Sequence, residues 1–285
     1  MVSPTHKKQA VSYVLGQGLC SVRRACRVLR LNRSTYQYKL KLPPLRQQRL
    51  KARIIDLSVK YPRYGYRRIR ALLDRDGWRV SRKLVQKIRR EEGLKVRPKQ
   101  KKIPRQGIST GLPQKAERPN HVWTWDFIFD RTDSGSSLKI MTMLDEFTRR
   151  CLTIRPARRL TSTHVLETIR QVMAVYGQPD YIRSDNGSEF IAAKVQTWLK
   201  HNNIKTIYIY PGSPWQNGYI ESFHSRLRDE CLNRELLLNV PEAQVVLEDF
   251  RQHYNHQRPH SKLSYKSPEV FISENINPKL SHKVA

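Results

Sequence analysis

Apolar residues in the first hundred positions recur at helical spacing. Stripes with an apolar residue every third or fourth position predict short amphipathic helices at 22–29, 50–57, 66–73 and 84–88. Asp76-Gly77 separates the last two helices, and Ser81 is a typical first cap for the second. Two short helices joined by a glycine-containing turn are typical of a helix-turn-helix. Residues 1–45 are predicted to form a separate helical, helix-turn-helix-like segment.

The pattern changes after residue 120. Aromatic and β-branched runs predict strands at 122–129, 138–144, 151–154, 181–183 and 204–210. Longer apolar stripes predict helices at 162–176, 188–200, 219–237 and 242–254. Three strands in succession, followed by alternating helices and strands, predict an α/β domain in which helices cover a mixed sheet.

The charge is divided along the same boundary. The chain of 285 residues carries a formal net charge of +30. Residues 1–120 contain 33 Lys and Arg against 6 Asp and Glu, whereas residues 121–285 contain 21 against 18. This asymmetry is typical of a nucleic-acid-binding arm joined to a nearly neutral domain. The second helix of the predicted helix-turn-helix supplies the candidate DNA contacts Arg82, Lys83, Lys87, Arg89 and Arg90.

Several classes of protein are excluded or disfavoured. No run of eighteen apolar residues is present, so the sequence predicts no membrane span. The apolar stretch at 10–19 is interrupted by polar residues and makes a poor signal peptide. The four cysteines form no C-x-x-C pair and are typical of reduced thiols in the cytosol. We therefore expect a cytoplasmic protein.

Three carboxylates are the candidate catalytic residues of the neutral half. Asp126 lies within an apolar, aromatic strand, where burial of a carboxylate is costly unless it is paired or binds a metal. Asp185 follows the fourth predicted strand, at the edge of the sheet where α/β proteins bind ligands. Glu221 opens the helix after the last strand, and residues 186–220, thirty-five in number, separate it from Asp185.

These residues and their surroundings resemble the D,D(35)E core of retroviral integrases and insertion-sequence transposases. The similarity is closest to the second-reading-frame product of the insertion-sequence-3 family. It spans roughly residues 20–275 and rests on the motifs WDF (125–127), SDNGSEF (184–190), PGSPWQNGYIESF (211–223), RLRDECLN (226–233), YNHQRPH (254–260), YGYRRI (64–69) and EEGL (91–94). Ser188 departs from the family pattern, in which proline is frequent at that position.

The resemblance implies a ribonuclease-H-like, retroviral-integrase-type core preceded by an all-α helix-turn-helix region. It implies that Asp126, Asp185 and Glu221 hold two Mg²⁺ ions, for which Mn²⁺ can substitute, because hard divalent cations prefer carboxylate oxygens. The implied reaction is metal-dependent 3′-end cleavage followed by strand transfer. Asn186 and Arg228 are the expected DNA contacts beside the triad. The expected segments are 1–45, a helix-turn-helix domain at 46–97, a basic linker at 98–118, the catalytic core at 119–275 and a tail at 276–285.

The expected partners are the ends of an insertion sequence and its target DNA. Two ends must be held together, so we expect a homo-multimer on DNA, in cooperation or fusion with an upstream-frame product. By the resemblance, the protein acts at the bacterial nucleoid. Two alternatives stay open: a ribonuclease-H-like nuclease, which would cut without joining, and a non-catalytic DNA-binding regulator or inactive transposase remnant.

Overall fold

The computed structural model describes residues 3–38, 44–96, 115–185, 187–209 and 217–275. Its chain divides into two compact units, 1–53 and 54–285, and each is considered by itself. The predicted tail at 276–285 and most of the predicted linker at 98–118 lie outside the described residues. Within the described ranges, no helix is long and apolar enough to cross a membrane.

The first unit is helical. It contains α1 (Pro4–Gly16), α2 (Val22–Val28) and α3 (Arg33–Gln37). Serine side chains cap the first two helices: Ser3 accepts the backbone N–H of His6, and Ser21 accepts that of Arg24. A small core forms where the helices meet, from Val11, Ala25, Cys26 and Leu31.

The helix-turn-helix segment follows α4 (Leu45–Lys60) and consists of α5 (Tyr66–Arg75) and α6 (Arg82–Glu91). Gly77 adopts a φ of 81° in the turn, a left-handed conformation that glycine adopts without steric cost. Ser81 caps α6 by accepting the Leu84 N–H at 3.2 Å. The apolar stripes predicted from the sequence face inward, with Ile69, Leu73, Val85 and Ile88 buried.

A five-stranded sheet occupies the second half of the described chain, in the order β3-β2-β1-β4-β5. Its strands are β1 (Val122–Arg131), β2 (Ser137–Asp145), β3 (Cys151–Ala157), β4 (Tyr181–Ser184) and β5 (Lys205–Tyr208). The first three are antiparallel neighbours, and β4 and β5 pair in parallel beyond β1. This is the predicted mixed sheet.

Helices cover both faces of the sheet. The helices of the second half are α7 (Ser162–Tyr176), α8 (Ser188–Ile191), α9 (Ala193–His201), α10 (Gly218–Leu227), α11 (Val240–His256) and α12 (Pro268–Asn275). One core joins the sheet to α7, α8 and α9, and the other joins it to α10 and α11. Alternate residues of β1 therefore enter different cores, as the two-residue period of a strand requires.

Two predicted helices end differently in the structure. The helix predicted at 188–200 is interrupted at Ala192, whose extended backbone (φ −50°, ψ 130°) separates α8 from α9. The helix predicted at 219–237 is α-helical only to Leu227. It continues as one π-helical turn, Arg228–Leu232, in which the Asn233 N–H donates to the Arg228 carbonyl at 2.9 Å. Asp229 of this turn pairs with Arg63, which precedes α5, and Glu230 pairs with Arg68 of α5.

Candidate active site

Strand register places Asp185 beside Asp126. The parallel ladder between β1 and β4 ends at the pair Thr124–Arg183. Asp126 and Asp185 each follow this pair by two residues, and they are close enough for the negative charge of Asp185 to raise the pKa of Asp126. Neighbouring strands lie about 4.8 Å apart, so the two carboxylates reach the same edge of the sheet.

Helix α10 brings Glu221 to the same place. Its start is fixed to β1 by the Thr124 hydroxyl, which donates to Asn217 Oδ1 at 2.8 Å. One turn beyond Glu221, His224 lies against Asp126, with its Nδ1 at 3.8 Å from Asp126 Oδ2. The other ring nitrogen of His224 is 2.7 Å from the Thr142 hydroxyl on β2. Asp126 therefore lies beneath the face of α10 that carries Glu221 and His224.

The three carboxylates interact through their charges. The pKa of Asp126 is raised to about 7, first because the carboxylate is partly removed from water, and further by the negative charges of Asp185 and Glu221. A hydrogen bond from the Phe127 N–H, 2.7 Å from Asp126 Oδ1, acts in the opposite direction. The pKa of His224 is lowered to about 4 by burial and by the charge of Arg228, so this histidine is neutral at pH 7. A neutral histidine leaves the negative charge of the cluster uncompensated.

An aromatic stack positions the segment that carries Asp185. Phe190 is fully buried, and its ring lies 4.8 Å from that of Trp125 and 4.6 Å from that of Phe127. The Gly187 N–H donates to Asp185 Oδ1 at 3.0 Å. A Cβ at Gly187 would lie 3.1 Å from that oxygen, so glycine allows the close approach. The loop after β4 is thereby held against the strand that carries Asp126.

Replacing Phe190 with alanine is expected to lower the free energy of unfolding by about 3–5 kcal/mol, because a fully buried ring leaves a cavity between two aromatic partners. Urea denaturation measures the change. The matched control is Phe129→Ala on β1, whose side chain is 57% exposed and should cost under about 1 kcal/mol. Equal losses for the two variants would show that the stack does not fix this loop.

The donor set fits a hard divalent cation. All three candidate side chains offer carboxylate oxygens, the ligands that Mg²⁺ and Mn²⁺ prefer. Burial is the main cause of the raised pKa of Asp126, and the negative charges of Asp185 and Glu221 add to it; a bound cation would offset that repulsion. Among the described residues, however, no three His, Cys, Asp or Glu side chains converge closely enough to complete a metal site. The carboxylates are neighbours, but they do not form a closed coordination sphere.

The predicted DNA contacts on α6 divide into two kinds. Arg89 is only 4% exposed, and its guanidinium donates to the Tyr64 carbonyl at 2.7 Å. This placement contradicts its prediction as a DNA contact, because the side chain joins α6 to the turn before α5. The remaining four lie on the solvent face of the helix: Arg82, Lys83, Lys87 and Arg90.

The two predicted contacts beside the triad also differ. Arg228 is exposed and begins the π-helical turn, where its Nη2 donates to the Phe129 carbonyl at 2.8 Å. Seven residues after Glu221, it lies on the same side of α10, since seven residues span almost two helical turns. Asn186 lies outside the described residues.

Sequence reasoning missed His224 as a member of the site. The available signal was its position three residues after Glu221, because residues separated by three positions are neighbours on a helix surface. It also missed the ion pair between Lys139 and Glu189, in which the ammonium lies 4.0 Å from the centre of the Phe127 ring. That pair depends on a sheet register that composition does not reveal.

Family comparisons match both parts of the chain. Two family models described as integrase core domain match residues 116–214 and 202–268, and an HTH-like domain matches residues 45–102. Over 256 residues the chain is 36% identical to the insertion element IS407 uncharacterized 31.7 kDa protein of Burkholderia multivorans, covering 89% of this chain and 91% of that protein. It is 25% identical to the transposase InsF for insertion sequence IS3A of Escherichia coli, covering 90% and 95% of the two chains.

The chain belongs to the insertion-sequence-3 family of transposases. The predicted family resemblance is thus confirmed, and so is the predicted fold of an integrase core preceded by a helix-turn-helix-like domain. A solved structure of the HTLV-2 integrase catalytic core domain in complex with magnesium is 19% identical, with a TM-score of 0.45 over 54% of this chain and 96% of that one.

Proposed function

We propose that this member of the insertion-sequence-3 family is a DNA transposase that cuts the 3′ ends of an insertion sequence and joins them to target DNA. The observation that carries the proposal is the juxtaposition of three carboxylates from three separate parts of the chain. The pKa of Asp126 is raised first by burial and further by the negative charges of Asp185 and Glu221. Membership of the family supports the same activity. The proposed catalytic residues are Asp126, Asp185 and Glu221.

In this proposal the three carboxylates hold two Mg²⁺ ions, with Mn²⁺ as a substitute. Such ions activate an oxygen nucleophile and neutralise the charge that develops on the phosphoryl group. Three parts of the chain supply the carboxylates: β1 carries Asp126, Asp185 directly follows β4, and α10 carries Glu221. His224 is hydrogen-bonded to Thr142 and lies beside Asp126. Because it is neutral, it adds no positive charge to the site.

The helix-turn-helix domain supplies DNA affinity in this proposal. The four exposed cations of α6 contact phosphates or bases, and Arg228 and Asn186 contact DNA beside the triad. Arg228 is suited to a phosphate because it is exposed and stands on the side of α10 that carries Glu221. The protein is proposed to act as a homo-multimer, since two element ends are brought together, and with an upstream-frame product.

Removing two of these cations should weaken DNA binding in a salt-dependent way. Each phosphate contact contributes about 0.9 to the slope of log affinity against log salt, so Arg82→Gln with Lys87→Gln should reduce that slope by roughly 1.8. Fluorescence anisotropy across a salt series measures it. The matched control, Lys194→Gln with Lys200→Gln, removes two exposed cations of α9; an equal change in its slope would contradict a specific role for α6.

The function itself is tested with DNA that carries the element's terminal inverted repeats and a target plasmid. A transposase should give 3′-end cleavage and covalently joined products. A ribonuclease-H-like nuclease would instead cut RNA–DNA hybrids and give no joined product. DNA binding with neither cleavage nor joining, in the presence of the upstream-frame product, would indicate a regulator or an inactive remnant.

A further inference from the structure

A cavity of about 330 Å³ lies beside α10, on a different side from the catalytic carboxylates. Tyr219, Ser222 and Arg226 form its α10 wall. At about 100° per residue, these three positions point away from Glu221 on the helix circumference. The other walls come from the turn after β2 and from the chain that follows α11. The cavity is therefore separate from the candidate active site, although both use the same helix.

The lining of this cavity is strongly cationic. Two acidic residues line it, Asp145 and Glu146, and one oxygen of Glu146, Oε2, is buried without a hydrogen-bond partner. Asp145 accepts backbone N–H groups within its own turn, and Glu146 accepts from Arg183 at 2.7 Å. Five cations line it: Arg68, Arg149, Arg226, Arg258 and Lys262.

Three of these cations form no salt bridge in the part of the chain that the structure describes, although the charges of Asp145 and Glu146 act on Arg149 and that of Glu230 acts on Arg226. Glu230 binds Arg258 through two hydrogen bonds and Arg68 through a third. Among the residues that the structure describes, Arg149, Arg226 and Lys262 have no carboxylate within 4.0 Å. Cations gathered around one concave space create a positive potential, which stabilises a bound anion.

Arg149 is held in place at a cost. Its φ of 62° is left-handed, which is uncommon for a residue other than glycine. The turn that Asp145 builds fixes this conformation, since the Arg149 N–H donates to the Asp145 carbonyl at 3.0 Å. The guanidinium lies 4.0 Å from the centre of the Tyr219 ring. Its Nε and Nη1 are buried without a hydrogen-bond acceptor, which is a costly state.

Aromatic side chains line the cavity, and the pKa of His260 reflects the positive charge around it. Tyr219, Phe223 and Tyr254 line the cavity, and its volume is in the range that small-molecule sites occupy. The pKa of His260 is lowered to about 2, first by burial and then by the charges of four arginines around the cavity. His260 is therefore neutral and does not repel the neighbouring arginines. The positive charge of the cavity comes from the arginines.

We propose that this cavity is a second nucleotide-binding site, in which Arg149, Arg226 and Lys262 bind a phosphate group and Tyr219 contacts the attached base or sugar. The assignment of an anion site rests on the geometry alone. The further assignment of the nucleotide to a DNA strand rests on the proposed function. A free mononucleotide presents the same chemistry, so experiment must separate the two sources.

Calorimetric titration of the full-length protein with deoxyadenosine monophosphate, in EDTA, tests the site. The expected result is saturable binding that Arg226→Gln weakens at least about tenfold and that the control Arg234→Gln leaves unchanged. Arg234 is an exposed arginine that does not line this cavity. Absence of binding, or equal affinities for the two folded variants, would overturn the proposal. Thermal melting establishes that each variant is folded.

Fluorescence anisotropy with a branched DNA, at fixed salt and in EDTA, identifies the source of the nucleotide. Competition by deoxyadenosine monophosphate, together with weaker DNA binding by Arg226→Gln, supports a nucleotide of the DNA. Mononucleotide binding without competition overturns the DNA assignment and supports a free nucleotide. Neither assay needs a metal or the carboxylates, so Asp126→Asn should bind the mononucleotide like the wild type, even if the proposed transposase activity fails.

Discussion

Replacing Asp126 with asparagine is expected to weaken Mn²⁺ binding by at least about a hundredfold. Changes in the residues that only orient metal ligands cost tenfold to a hundredfold in affinity, and loss of a ligand carboxylate should cost no less. Asparagine keeps the shape of the side chain but removes its charge, and hard divalent ions bind charged oxygens preferentially. Calorimetric titration of the full-length protein with Mn²⁺ measures the change.

The matched control for this variant is Asp130→Asn on the same strand. Asp130 caps a neighbouring backbone N–H at 2.8 Å and is distant in register from β4. It should retain wild-type affinity. Identical isotherms for the Asp126 and Asp130 variants would show that the candidate triad does not hold the metal.

Replacing Glu230 with glutamine is expected to destabilise the fold by about 3–5 kcal/mol, because it leaves buried arginines without their counter-charge. Glu230 accepts from Arg258 Nε at 2.6 Å and from Nη2 at 2.7 Å, and the Arg258 side chain is almost completely buried. Arg68 of α5 adds a third contact at 3.2 Å. Urea denaturation of the full chain measures the loss.

The control for Glu230 is Glu248→Gln, which removes a half-exposed partner of Arg251 and should cost at most about 1 kcal/mol. The contribution of Glu230 should also depend on pH. Burial alone would raise the pKa of Glu230. Hydrogen bonds and charge from Arg258, with the charge of Arg68, outweigh burial and hold this pKa below its ordinary value of 4.5. The ion pair therefore contributes fully above pH 4.5, and its contribution is lost as the pH falls through the lower, folded-state pKa. Equal stability of the Glu230→Gln and Glu248→Gln variants would contradict this role. So would a difference in stability between wild type and Glu230→Gln that persists at acidic pH.

The position of the carboxylates could be predicted because each belongs to a strongly patterned element. Asp126 lies among apolar and aromatic residues of β1, and Asp185 follows the short strand β4. Parallel pairing of these strands needs no special turn or ligand. The strands and most of the helices follow from periodicity, and the helices at 188–200 and 219–237 are the exceptions.

The features that sequence reasoning missed depend on contacts between distant segments. Burial of Arg89 depends on the Tyr64 carbonyl, 25 positions earlier, and nothing in the pattern of α6 separates this arginine from its exposed neighbours. The π-helical turn after Leu227 likewise makes tertiary contacts, in which Asp229 pairs with Arg63 and Glu230 pairs with Arg68. Helix periodicity describes one face of one element and contains no information on such partners.

Helix α10 contacts three different parts of this protein. One side carries Glu221 and His224 toward Asp126, another packs into the core through Ile220 and Leu227, and a third lines the cationic cavity. The π-helical turn at its end joins the integrase core to the helix-turn-helix segment. A single helix thus connects the candidate catalytic carboxylates, the proposed nucleotide site and the domain that is proposed to bind DNA.

The most direct test of the central claim is resolution of a branched DNA that mimics a strand-transfer product, by the purified protein in Mg²⁺, in Mn²⁺ and in EDTA. This substrate does not require the element's terminal repeats. We expect resolution that requires the metal and falls to background in Asp126→Asn, while DNA binding by that variant persists. Equal resolution by the wild type and Asp126→Asn, or resolution in EDTA, would show that Asp126 does not act in a metal-dependent catalytic site.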